Sequence, residues 1–264
     1  MMIDLSFLLL LALKMAVTAA FVVTATFLAQ RSGPLLGALV ATLPIAAGPA
    51  YVFLALDHGP QFIADAAITS LAVNGATVIY AVVYAHLAQR HGLALSVGLA
   101  FMAWLVLTLL CRAVDWTLLG ATMINVVILP VCFLAARPLR LAPIPRVRTR
   151  WYDVVVRAGL VALLVAVVVG LSFRIGAAGT GILAAFPIVL TSIMLLLHRR
   201  VGGPGTAAVL ANTVIGLCGF ALALLTLNIA ALSLGSPLAL LLALTVAVAW
   251  NLAVFVARRR GVPV

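Results

Sequence analysis

Five residues in the first half of this 264-residue chain recur in like form 143 positions later, and that register limits the fold more than any other feature. Lys14, Arg31, Gly33, Pro44 and Ile45 correspond to Arg157, Arg174, Gly176, Pro187 and Ile188. Trp104 corresponds to Trp250 at a slightly longer offset. Each unit reads as a basic residue inside an apolar helix, a basic residue at its end, a glycine, a mid-helix proline and a late tryptophan. One extra hydrophobic span follows the first unit. An odd number of crossings therefore separates the two, and the second is expected to enter from the opposite side. Inverted repeats of this kind are a common plan of secondary transporters.

The apolar content makes a membrane the only suitable solvent. Hydrophobic residues form 66% of the chain and charged residues 8%, more apolar surface than a soluble fold of this length can bury. The apolar runs recur along the whole sequence, so the chain is expected to be polytopic rather than singly anchored. The first run lacks a basic flank, has Asp4 before it and Lys14 inside it, and does not read as a cleavable signal peptide. The net charge of +11 does not point to nucleic acid. Most arginines fall in short loops between spans, where the positive-inside rule accounts for them. Cys111, Cys132 and Cys218 are scattered and read as small core residues.

The expected fold is all-α, with nine spans at roughly 5–29, 34–56, 62–88, 93–111, 116–136, 152–173, 177–198, 205–230 and 237–257, each long enough for a hydrocarbon core of ~30 Å. The region 205–257 could instead contain a re-entrant segment near Ser233 to Pro237. The expected organisation is a four-helix repeat over 1–112, a linker helix and basic loop over 113–150, and an inverted four-helix repeat over 151–264. Alternate loops place twelve arginines on one side and two, Arg112 and Arg174, on the other. That bias puts the N-terminus outside and the C-terminus in the cytoplasm of a bacterial inner membrane.

The unit pattern resembles the small bacterial four-helix membrane proteins of the GlpM-like type. The matching residues are Lys14, the run from Gly37 to Pro44, His58 and Trp104 in the first unit. In the second they are Arg157, the run from Gly181 to Pro187, His198 and Trp250. Arg157 in place of lysine, and Leu43 in place of an aromatic before the first proline, depart from the pattern. The resemblance implies an architecture, a fused antiparallel pair, and carries no substrate.

Lys14 lies nine residues into its span, about 14 Å deep at 1.5 Å per residue. A mid-membrane lysine costs on the order of 2.5–3.5 kcal/mol and calls for a cavity or a counter-charge; snorkelling to the surface is the plainer alternative. Arg157 is its shallower equivalent. With no buried carboxylate evident beside either, the pair is expected to converge on an anionic ligand. Asp65, in the first turns of its span, is the coupling candidate. Pro44 and Pro187 are expected to break their helices near mid-membrane, either as simple kinks or as paired openings at a central site. Thr42, Thr191 and Ser192 stand beside these breaks. Asn74 and Asn212 are polar points in equivalent spans, suited to bonding between helices or to a ligand.

No enzyme constellation is present: there is no glutamate and no metal or phosphate motif. The sequence is therefore read as a non-enzymatic, transporter-like protein for a small organic anion or an anionic lipid head group. No cofactor, metal or nucleic acid is expected; the bilayer and the anion are the partners, and a homodimer is compatible. The alternative is an accessory or assembly subunit of a membrane complex.

Overall fold

The computed structural model describes residues 5–31, 45–140 and 150–260. Eight helices account for nearly all of them: α1 (Leu5–Arg31), α2 (Ala47–Asp57), α3 (Pro60–Leu87), α4 (Leu93–Arg112), α5 (Leu118–Arg140), α6 (Trp151–Ala184), α7 (Ile188–Leu234) and α8 (Ser236–Arg259). The described residues contain no strand. The fold is all-α, as expected. Seven of the helices, all but α2, are long and apolar enough to cross a membrane, two fewer than the nine spans read from the sequence.

The shortfall arises at two of the expected spans. The expected span 34–56 contributes only α2, and its first part, with Thr42 and Pro44, lies outside the described residues. The expected span 177–198 is divided between the end of α6 and the start of α7, with a break at 185–187. Each of these long helices contains one non-helical residue, Gly176 (φ 68°) in α6 and Gly202 (φ 74°) in α7. Only glycine takes such dihedrals at low cost.

The chain reverses at both glycines, and its neighbours on α3 trace the path. Ser70 bonds Gly181, Thr77 bonds Ala185, Tyr80 bonds Thr191 and Tyr84 bonds His198, so residues 177–201 run beside α3 in the same direction. After Gly202 the chain returns. Gly203 packs on Ala88, Leu217 meets Asn74 and Asn228 meets Ala64, an antiparallel register. Asn74 and Leu217 are themselves 143 positions apart. The limb 151–175 runs the length of the molecule, with Asp153 beside Arg200 at one end and Ser172 beside His58 at the other.

Helix α3 is the centre of the packing. Ile63, Leu71, Val73, Val78, Tyr80 and Tyr84 are among its fully buried side chains. Small residues between them let the neighbouring backbones approach closely. A Cβ at Gly181 would collide with the carbonyl of Ala66, and one at Gly203 with that of Ala88. Helix α5 continues through Pro138 to Arg140, past its expected end at 136. Its last guanidinium lies over the ring of Phe133 at 3.4 Å. The outer faces of α4, α5 and α8 expose large apolar side chains, among them Leu109, Val127, Leu134 and Leu241. A surface this apolar over whole helix faces belongs in a bilayer.

Candidate functional site: two ionic ends and a neutral seam

Lys14 finds a counter-ion that the sequence did not disclose. It is 6% exposed, and its ammonium donates to Asp57 Oδ2 at 2.5 Å. Asp57 is the last residue of α2, and its carboxylate reaches across to the ammonium on α1. The next residue, His58, stacks on Phe62 with ring centroids 3.8 Å apart. Ser172 commits its hydroxyl proton to the Val169 carbonyl, so His58 Nε2–H donates to Ser172 Oγ at 2.8 Å. Burial pulls the imidazole below its ordinary range, and the nearby Lys14 ammonium pulls in the same direction against the opposing effect of Asp57.

The opposite end is built around Asp153. Its carboxylate caps α6 by accepting from the Arg150 backbone N–H at 2.8 Å. It also receives both terminal nitrogens of Arg200, one at 2.7 Å and the second closer still. The Arg200 guanidinium stands over the ring of Tyr152. One turn deeper on α6 lies Arg157, whose Nε is buried and has no hydrogen-bond partner.

Lys14 and Arg157 therefore do not converge. Asp57 and His58 bring Lys14 to the Ser172 end of the 151–175 limb, and Arg157 lies near its start. Fifteen residues of helix separate Arg157 from Ser172, about 22 Å at 1.5 Å per residue. The expectation of one cavity shared by both cations is corrected. So is the expectation that Lys14 has no carboxylate nearby, because its ion pair forms only when separate helices meet.

A neutral hydrogen-bonded seam joins the two ends along α3. Tyr51 donates to Ser70, which donates to the Gly181 carbonyl at 2.7 Å. Trp104 donates to Thr77 at 3.2 Å, and Thr77 to the Ala185 carbonyl. Tyr80 donates to Thr191, whose own hydroxyl caps the Pro187 carbonyl. Ser192 bonds the Val189 carbonyl. Pro187 thus does break its helix, and Thr191 and Ser192 satisfy the backbone beside the break. Asn74 donates to Asn125 at 2.8 Å and to the Leu217 carbonyl, while its own Oδ1 is buried without a partner.

Two expected site residues lie elsewhere. Asp65 is exposed and bonded by Gln61 one turn away, apart from both ion pairs. Asn212 bonds the Ala208 carbonyl of its own helix and accepts from Arg258, near the start of the returning limb of α7. The position facing Asn74 is Leu217. Thr42 and Pro44 lie outside the described residues. The sequence reading missed Asp57, Asp153 and Arg200 as ionic partners. One signal was available: Arg200 follows Asp57 by 143 positions, the same offset that relates Lys14 to Arg157.

A cavity of about 320 Å³ opens between α1, α2, α7 and α8, lined by residues such as Val17, Phe21, Tyr51, Leu224 and Leu240. Its walls are almost wholly apolar, so it suits an acyl chain and not an anion. The three cysteines are free, and the described residues form no group of three metal-ligating side chains. Comparison with protein-family models, with curated proteins and with solved structures finds no match to this chain.

Proposed function

We propose that the chain is a transporter-like membrane protein that works by alternating access between two antiparallel four-span units. In this reading it moves a small organic anion across a bacterial inner membrane, with the N-terminus outside and the C-terminus in the cytoplasm. One observation carries the proposal. Asp57 and Arg200 are equivalent by the repeat register, yet they sit at opposite ends of the same helical limb. Each is the partner of a charge in the first span of its own unit. A parallel duplication would place them at the same end. The contact between Asn74 and Leu217 supports the same symmetry, since positions one repeat apart meet only at a two-fold axis.

Two inverted units held along α3 and the returning limb of α7 can rock about that contact. Lys14–Asp57 and Asp153–Arg200 then act as latches at the two ends, opened in turn. The break at 185–187 gives the moving helix its hinge. Lys14, already paired, is a latch in this reading and not a cargo contact. The GlpM-like resemblance fits the same plan, a fused antiparallel pair.

The accessory-subunit reading draws on a different observation: the α3 seam is largely paired within the chain, and the cavity is apolar. Counterflow of labelled organic anions in vesicles reconstituted with the purified protein separates the two. The transport reading expects saturable exchange that falls at least tenfold when Lys14→Met opens one latch for good. Folded protein that exchanges none of the anions, while retaining a stoichiometric protein partner from native membranes, would give the role to an accessory subunit.

A further inference from the structure

The two ionic ends are related by the repeat, but their charges are not conserved between units. In the first unit the buried cation Lys14 is neutralised by Asp57. In the second, Arg157 takes the place of Lys14, and Arg200 takes the place of Asp57. The position that supplies an anion in one unit supplies a cation in the other. Asp153, one turn before Arg157, attracts it through space, but both of its oxygens are hydrogen-bonded to Arg200 and one also to the Arg150 backbone.

Among the described residues the remaining acids stand elsewhere. Asp57 and Asp65 flank the turn into α3 at the far end. Asp115 precedes α5, which starts at that same end, because Asn125 bonds Leu71 early in α3 while Ala136 packs with Val82 near its close. Among the described residues, the Asp153 end thus holds the guanidiniums of Arg150, Arg157 and Arg200 against one carboxylate. Arg157 Nε is buried and unpartnered there.

We propose that Arg157 binds a phosphate-type oxyanion through its guanidinium, in the role that the Asp57 carboxylate has toward Lys14 in the first unit. A guanidinium presents a planar fork of donors that matches a phosphate group, and a desolvated charge-assisted bond is stronger than one in water. Depth fits as well. Arg157 lies six residues beyond Trp151, about 9 Å along the helix, and Trp151 is an exposed aromatic of the kind found at the membrane interface. A flexible arginine reaching outward from that depth meets the zone of lipid phosphates. The same chemistry serves a soluble phosphate ester arriving from the arginine-rich side. The site rests on the repeat register and not on transport, so it stands if the chain proves to move nothing.

The test is thermal unfolding of the full chain in phosphatidylcholine nanodiscs titrated with inorganic phosphate, and separately in nanodiscs containing phosphatidylglycerol. The expected result is a saturable rise in the midpoint with at least one of them. A response to phosphate identifies a soluble anion, and a response confined to phosphatidylglycerol identifies a lipid head group. Arg157→Met should weaken the apparent affinity at least tenfold, and Arg157→Lys should retain part of it. The double substitution Asp153→Leu with Arg200→Asp rebuilds the first unit's pattern, since Leu10 stands where Asp153 does. It should abolish the response by giving Arg157 an internal carboxylate. The proposal is overturned if the native chain responds to neither probe, or if Arg157→Met or the double variant responds as the native chain does.

Discussion

Asp57→Asn should be far more damaging than Lys14→Met, although both remove one half of the same ion pair. Unit charges 2.5 Å apart attract by about 6–7 kcal/mol at an effective dielectric near 20. Desolvating them takes back much of this, and breaking a buried pair from one side typically costs about 3–5 kcal/mol. The two partners are not equally enclosed: the Lys14 side chain is 8% exposed and that of Asp57 19%. Removing the carboxylate leaves an ammonium sealed among α1, α2 and Phe53, so Asp57→Asn should cost about 3 kcal/mol, the low end of that range because Asp57 borders the turn. Removing the ammonium leaves Asp57 at a helix end, where water can reach it, and methionine fills the space of the lysine stem. Lys14→Met should cost about 1 kcal/mol, and the double variant little more, giving a coupling of about 2–3 kcal/mol. Reversible unfolding in mixed micelles, run as a double-mutant cycle, measures all four corners. If Asp57→Asn costs no more than Lys14→Met, or the coupling falls below about 0.5 kcal/mol, the pair is a surface contact and the reasoning fails.

Three further outcomes follow from the packing and from His58. Gly203→Ala should destabilise by about 1–3 kcal/mol, because its Cβ meets the Ala88 carbonyl; Gly48→Ala, with open space around it in α2, should be neutral or stabilise by about 0.5–1 kcal/mol. Asn125→Leu should cost about 1 kcal/mol by stripping Asn74 of a partner, and Asn74→Leu with Asn125→Leu should cost less than the two single changes together. Because burial lowers the His58 pKa, its stabilising share is complete above the ordinary value of 6.5 and is lost as pH falls through the lowered value of the folded chain. The thermal midpoint should therefore drop on acidification from pH about 7 to 5, and less steeply in His58→Asn.

The parts of the fold legible in the sequence were those carried by local pattern. Apolar runs gave the helical class, and the 143-residue register gave the equivalence of Lys14 with Arg157 and the break at Pro187. The number of long helices falls below the number of expected spans because Gly176 and Gly202 turn the chain without a loop, so the segment between them joins its neighbours in continuous helix. Both reversals fall at expected span boundaries, beside Arg174 and beside Arg199 and Arg200. Site residues chosen by type and not by register were misplaced. Asn212 lies five positions from Leu217, the true counterpart of Asn74, and five residues turn a helix face by about 140° and shift it about 7.5 Å. Asp65 is likewise five positions from Ser70, and it points outward while Ser70 lies in the seam. The ion pairs were invisible for a different reason: each joins side chains of separate helices, Lys14 to Asp57 and Asp153 to Arg200, at 43 and 47 positions' separation.

The distribution of polar groups follows the dielectric profile that the chain must cross. Full charges stand at the two ends of the 151–175 limb, where water and head groups lower the cost of partial burial. Between them α3 carries serine, threonine, asparagine and tyrosine, whose neutral hydrogen bonds satisfy the backbone freed at 185–187 without placing a charge at mid-membrane. Either half of this arrangement alone would serve a static helix bundle. A broken helix lined by neutral donors, clamped at each end by a charge pair of opposite polarity, also lets one end open without exposing an unpaired ion to the hydrocarbon. Rocking about the Asn74–Leu217 contact would separate charges only at those two ends. If the chain rocks as proposed, the ion pairs at the two ends must part while the seam stays whole, so substitution of Lys14, Asp57, Asp153 or Arg200, rather than of the polar groups of α3, should set the rate.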